Sequence, residues 1–197
     1  MLRFLFLLLA CLSISVAAPV INEVQSTNTG LADPFGQLMD WVEIYNPDGE
    51  PVNMQGYYLS DSVSDRVKYQ FPNIEIAPGG FLVIWAGSVT DFPLRSGAHA
   101  TFGISSGGEA IVLTAPDGLT VVDQYPSKAI GAGRSMGRQP DGTGALYFFT
   151  TPTQGTANLG GIIFRIGTGR DSSSSLKRTA RWPSKATSAW SCTATQV

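Results

Sequence analysis

The sequence predicts an all-β fold, an antiparallel sandwich. Strand-sized apolar segments recur at roughly ten-residue spacing, and Pro, Gly and Asp clusters of turn chemistry separate them. No stretch carries a convincing amphipathic-helix period, which argues against any alternating strand–helix fold.

Residues 20–24 open the series, followed by a polar loop over 26–37. The clearest strand is Trp41-Val42-Glu43-Ile44-Tyr45; alternation places Val42 and Ile44 toward the core and Trp41, Glu43 and Tyr45 on the opposite face. Asn46-Pro47-Asp48-Gly49 ends it, because Pro fixes φ while Asp and Gly accept tight turn conformations. Strands are expected over 56–59 and 67–71, and Pro78-Gly79-Gly80 turns the chain into Phe81-Leu82-Val83-Ile84-Trp85. That run is apolar on both faces, as in a strand covered on both sides.

Residues 87–99 read as a crossing loop. Segments 110–113 and 119–122 flank Pro116-Asp117-Gly118 and form an expected hairpin. Gly131-Ala132-Gly133-Arg134-Ser135-Met136-Gly137 lacks dinucleotide-binding spacing and reads as a loop, and a late strand is expected at Tyr147-Phe148-Phe149. A weak further strand is expected over 160–166, and disorder over 171–197, where Ser, Thr and basic residues replace any core-forming pattern.

The order of these pieces resembles the lamin-tail domain, in the form found in secreted bacterial proteins. The resemblance rests on Ile21-Asn22-Glu23-Val24, Trp41-Val42-Glu43-Ile44-Tyr45-Asn46, Val52-Asn53-Met54-Gln55-Gly56-Tyr57-Tyr58-Leu59-Ser60-Asp61 and Tyr69-Gln70-Phe71-Pro72. It continues through Pro78-Gly79-Gly80-Phe81-Leu82-Val83-Ile84-Trp85-Ala86 and Ser106-Gly107-Gly108-Glu109-Ala110-Ile111-Val112-Leu113. It closes with Gly133-Arg134-Ser135-Met136-Gly137-Arg138 and Phe149-Thr150-Thr151-Pro152-Thr153-Gln154-Gly155-Thr156-Ala157-Asn158. The resemblance covers 21–158 and implies an immunoglobulin-like sandwich that acts as a binding or accessory module. The domain organisation expected is a signal peptide over 1–17, the sandwich over 18–158 and a basic tail over 159–197.

Arg3 ahead of Phe4-Leu5-Phe6-Leu7-Leu8-Leu9-Ala10, with small residues at Ser15, Ala17 and Ala18, reads as an export signal cut after Ala17. The apolar run is too short for a membrane span, which needs about 20 residues. Leu8-Leu9-Ala10-Cys11 also has the look of a lipidation site, though the apolar stretch before it is short for that route. After cleavage only Cys192 remains, so packing rather than an intrachain disulfide holds the expected fold.

Residues 18–158 carry 14 acidic against 6 basic residues, a net charge of −8, whereas 159–197 carry 6 basic residues against Asp171. The acidic body argues against direct nucleic-acid binding, which needs clustered Lys and Arg.

No catalytic residue, cofactor or metal site is expected. His99 is the only histidine, and neighbouring Ser105 and Ser106 sit in no nucleophile motif. Asp33, Asp40, Asp61 and Asp65 offer oxygen ligands without a calcium-loop pattern. Glu43 and Glu109 are the carboxylates a glycosidase reading would pair. The one segment with binding character is the face of Trp41, Glu43 and Tyr45, aromatics beside a carboxylate that suit a protein partner or a sugar ring. Its competing reading is a face covered by a loop or by the second sheet.

The expected function is a secreted, non-catalytic protein-binding, adhesion or scaffold module at the cell surface. Two alternatives stand: the accessory domain of an extracellular hydrolase, nuclease or CotH-type kinase of which this is a truncated or frameshifted part, and a polysaccharide-binding module.

Overall fold

A computed structural model describes residues 18–87 and 98–161, all of them strand, turn or irregular chain. The expected signal peptide over 1–17, most of the crossing loop and the basic tail from 162 onward lie outside the described residues. No helix among the described residues is long and apolar enough to cross a membrane.

Twelve strands follow in order: β1 Val20–Gln25, β2 Asp40–Tyr45, β3 Val52–Asn53, β4 Tyr58–Ser60, β5 Tyr69–Gln70, β6 Glu75–Ile76, β7 Phe81–Ala86, β8 His99–Ala100, β9 Ile111–Thr114, β10 Val121–Tyr125, β11 Ser135–Gln139 and β12 Ala145–Phe149. They form a six-stranded sheet in the order β12-β11-β1-β2-β7-β8, a four-stranded sheet β10-β9-β4-β5 and a β3-β6 ribbon. Every pair is antiparallel except β7 with β8 at one edge. The fold is an all-β sandwich of the immunoglobulin-like kind.

Period-2 alternation builds the core. Val24, Val42, Ile44, Ile84 and Met136 project from the six-stranded sheet onto Leu59, Tyr69, Ile111, Leu113 and Tyr125 of the four-stranded one. Tyr125 on β10 spans the gap and donates its hydroxyl to the Met136 carbonyl at 2.7 Å.

Several elements differ from their sequence readings. Residues 135–139, within and just after the glycine-rich loop, are a strand in the interior of the six-stranded sheet, where Met136 pairs with Val24 and Phe148. β4 and β5 are shorter than expected, and β10 runs two residues later than the 119–122 reading. β3, β6 and β8 have two residues each, too few for a period to show. In β7 the coverage is partial on both faces at first: Phe81, Leu82 and Val83 are partly exposed, and Ile84, Trp85 and Ala86 are buried. Gly160 and Gly161 form no strand, and the rest of the 160–166 reading lies outside the described residues.

The turn between β6 and β7 shows why Pro78-Gly79-Gly80 follows a buried asparagine. Gly79 takes φ +63°, and a Cβ on Gly80 would lie 2.9 Å from the Ala77 carbonyl oxygen. Asn46, fully buried, ties this turn to the end of β2: its Nδ2 donates to the carbonyls of Glu50 (2.8 Å), Ile76 (3.1 Å) and Ala77 (3.2 Å), and its Oδ1 accepts the Asp48 N–H. Asn46→Ala removes these bonds, leaves the carbonyl of buried Ile76 without its side-chain partner, and is expected to cost about 1–3 kcal/mol. Urea unfolding checks it: the midpoint falls while the slope stays constant.

Candidate functional site

The outer face of the six-stranded sheet carries the three residues singled out by sequence, and the structure separates them by surroundings. Trp41 is fully buried; its indole N–H donates to Gln25 Oε1 at 2.6 Å, and it packs with Met39, Trp85 and Val83. Glu43 is fully buried as well, beneath residues 153–158. Tyr45 alone is partly exposed, its ring 5.0 Å from that of Phe81. Trp41 and Glu43 therefore give a partner no surface to stack on, and of the readings weighed for this face the covered one describes them. Neighbouring chain is the physical reason: Met39, Val83 and Trp85 pack on Trp41, and Gly155 lies on Glu43.

Beneath that cover lies a buried polar cluster. A register shift between Ile21 and Glu23, a β-bulge, breaks strict alternation in β1. As a result Asn22 and Glu23, consecutive in sequence, both take part in the cluster, and Glu23 lies directly opposite Glu43 on β2. Asn22 Nδ2 donates to Glu43 Oε1 (3.0 Å) and to Asp141 Oδ1 (2.9 Å), while its Oδ1 accepts the Gly142 N–H at 3.0 Å. Asp141 comes from the turn after β11 and also accepts the Asn158 N–H at 3.0 Å.

Residues 153–158 close over both glutamates. Thr153 N–H donates to Glu23 Oε1 at 3.1 Å and Thr153 Oγ1 contacts Glu23 Oε2 at 2.7 Å; Gly155 N–H donates to Glu43 Oε2 at 2.5 Å. Ser135 Oγ donates to Glu23 Oε1, and Thr153 Oγ1 also contacts Asn158 Oδ1, both closely. Asn158 Nδ2 reaches the Arg138 carbonyl at 2.9 Å because Gly137 has no side chain: a Cβ there would lie 2.6 Å from that nitrogen. Desolvation raises both glutamates against the lowering by their hydrogen bonds; Asp141 adds repulsion to each.

The other candidates serve the fold locally. His99 Nε2 lies 3.3 Å from Asp33 Oδ2, its ring 5.9 Å from that of Phe35, and no hydrogen bond among the described residues joins it to Ser105 or Ser106. Asp33 also accepts the N–H groups of Phe35 and Gln37. Asp40 accepts those of Thr27 (2.7 Å) and Ile104 (3.0 Å). Asp61 pairs with Lys68 at 2.6 Å, and Asp65 is exposed. Glu109 accepts the Ser105 N–H at 2.9 Å, and the carboxyl that faces Glu43 is Glu23. Among the described residues no group of three or more His, Cys, Asp or Glu is placed to hold a metal ion.

A model of the Lamin Tail Domain family matches residues 13–128. The chain belongs to the lamin tail domain family. A comparison with curated proteins found no match. The fold of this lamin tail domain runs past the matched stretch, since β11 and β12 complete its larger sheet and residues 153–158 cover its buried carboxylates. The sequence reading missed Glu23, Asp141, Thr153 and Asn158 as one cluster, because only Glu23 stands on a strand and the others reach it from turns and irregular chain distant in sequence.

Proposed function

We propose that this protein is a secreted, non-catalytic lamin-tail module of the bacterial type that binds a protein partner at the cell surface, in an adhesion or scaffold role. The observation that carries the reading is an open groove of mixed polarity on the loops flanking the four-stranded sheet, bordered by exposed apolar side chains. Leu119, 78% exposed at the tip of the β9–β10 hairpin, stands with Val63 and Val67 around an open groove of about 520 Å³ that Asp65 and Arg66 also line. Contiguous exposed apolar side chains of this kind mark interaction surfaces. The net charge of −8 over 18–158 favours a protein segment that brings an apolar side chain with basic flanks. Export is supported by Arg3 and the short apolar run after it.

Leu119→Asp is expected to lower affinity for the cell-surface partner at least tenfold while leaving the melting temperature within about 1 °C, since a tip residue this exposed contributes little to the core. Pull-down from cell-surface extract, followed by titration of the recovered protein against both forms, checks it. Equal binding by the two forms would remove the groove from the reading, and retention on a glycan array with no protein partner would replace it with polysaccharide recognition.

A further inference from the structure

We propose that residues 153–158 form a strap latched by a single proton that Glu23 carries beside an ionised Glu43, and that raising the pH unlatches it. Three observations lead there. First, Glu23 and Glu43 are direct cross-strand partners and both are fully buried, an arrangement that disfavours two like charges. Among the described residues no cation is paired with either. The titratable and charged groups facing them are Asp141 from the turn after β11, Tyr125 on β10, and Arg138 on β11, whose charge is engaged by Asp123 on β10.

Second, counting hydrogens places the proton. Thr153 Oγ1 touches both Glu23 Oε2 and Asn158 Oδ1, yet a hydroxyl has one hydrogen to donate. Asn158 cannot be turned to supply the other, because its Nδ2 already faces the carbonyls of Arg138 (2.9 Å) and Asn22 (3.4 Å). The remaining hydrogen sits on Glu23, which gives the chain Glu23 O–H to Thr153 O–H to Asn158 Oδ1.

Third, Glu43 receives two N–H groups, from Asn22 and Gly155, one on each oxygen, the pattern an ionised carboxylate accepts. The two carboxyls titrate as one unit, and burial pushes its last proton loss upward. Once that proton leaves, two buried charges face each other and Thr153 can satisfy only one of its two acceptors. Opening the strap then lets water reach both carboxylates.

Hydrogen–deuterium exchange of the peptide spanning 150–158, in the full chain from pH 6 to 10 and corrected for the chemical exchange rate, tests this. Wild type is expected to lose about tenfold protection per pH unit once the pair begins to release its proton. Glu23→Gln should hold the strap closed across the range, because its amide donates to Thr153 Oγ1 where the acid proton does and its oxygen still accepts from Ser135. Glu43→Gln should open it at every pH, since its amide must confront either Asn22 or Gly155. Flat protection in wild type, a Glu23→Gln profile that follows wild type, a Glu23→Gln chain that does not fold, or locking by Glu43→Gln instead would each overturn the assignment. If Glu43→Gln does not fold, the wild-type and Glu23→Gln profiles decide alone.

Discussion

Trp41→Ala lowers the unfolding free energy by about 3–5 kcal/mol, the cost of emptying a buried aromatic site. The residue is fully buried between Met39 and Trp85 on the outer face of the larger sheet, so its removal leaves a cavity that the flanking strands cannot close without losing register with β1 and β7. It also strips Gln25 Oε1 of its indole donor at 2.6 Å, leaving a buried acceptor unpaired. Trp41→Phe separates the two terms: it keeps most of the volume, loses the N–H, and is expected to cost about 1–3 kcal/mol. Denaturant unfolding of the two variants reads the difference. Trp41→Ala at wild-type stability would mean that the cover over this face contributes nothing, and the residue would return to the list of partner contacts. Loss of binding in Trp41→Ala without a stability measurement would report unfolding rather than a lost contact.

The fold was legible because its determinants are local. Val42 and Ile44 alternate with polar or aromatic neighbours, Asn46-Pro47-Asp48-Gly49 and Pro78-Gly79-Gly80 mark turns by backbone chemistry, and each reads within a few residues. β11 was not legible, since Ser135, Met136, Gly137 and Arg138 carry little strand propensity. Their strand exists because β1 and β12 flank it and because Asn158 needs the missing Cβ of Gly137. The carboxylate cluster was hidden for a related reason. Alternation assigns Glu43 to a face without saying what covers that face, and the cover comes from Gly155, 112 residues away. Glu23 opposes Glu43 only because of the bulge after Ile21, which a period-2 reading of Ile21-Asn22-Glu23-Val24 cannot place. Long-range partners and a local break in register, then, account for what the sequence concealed.

Arg138→Ala is the other large effect, expected near 3 kcal/mol, at the lower end of the range for breaking a buried ion pair because both side chains keep a little exposure. Arg138 leaves β11 toward the four-stranded sheet. Its Nη2 donates to Asp123 Oδ1 and Oδ2 at 2.9 and 3.1 Å, its Nε donates to the Ile21 carbonyl at 2.9 Å, and its guanidinium stands 5.9 Å from the Tyr125 ring centre. Asp123 in turn accepts the Ile21 N–H at 2.8 Å, so one pair of side chains fastens β10 to both polar groups of a residue at the start of β1. Truncating the arginine leaves the Ile21 carbonyl and one face of Asp123 without partners, whereas truncating both leaves Ile21 unpaired but no uncompensated charge. The double variant Arg138→Ala with Asp123→Ala should therefore cost less than the sum of the singles by about 1–3 kcal/mol. Additive losses would show that the pair is screened by solvent and that packing of the arginine stem on Tyr125 carries its whole contribution.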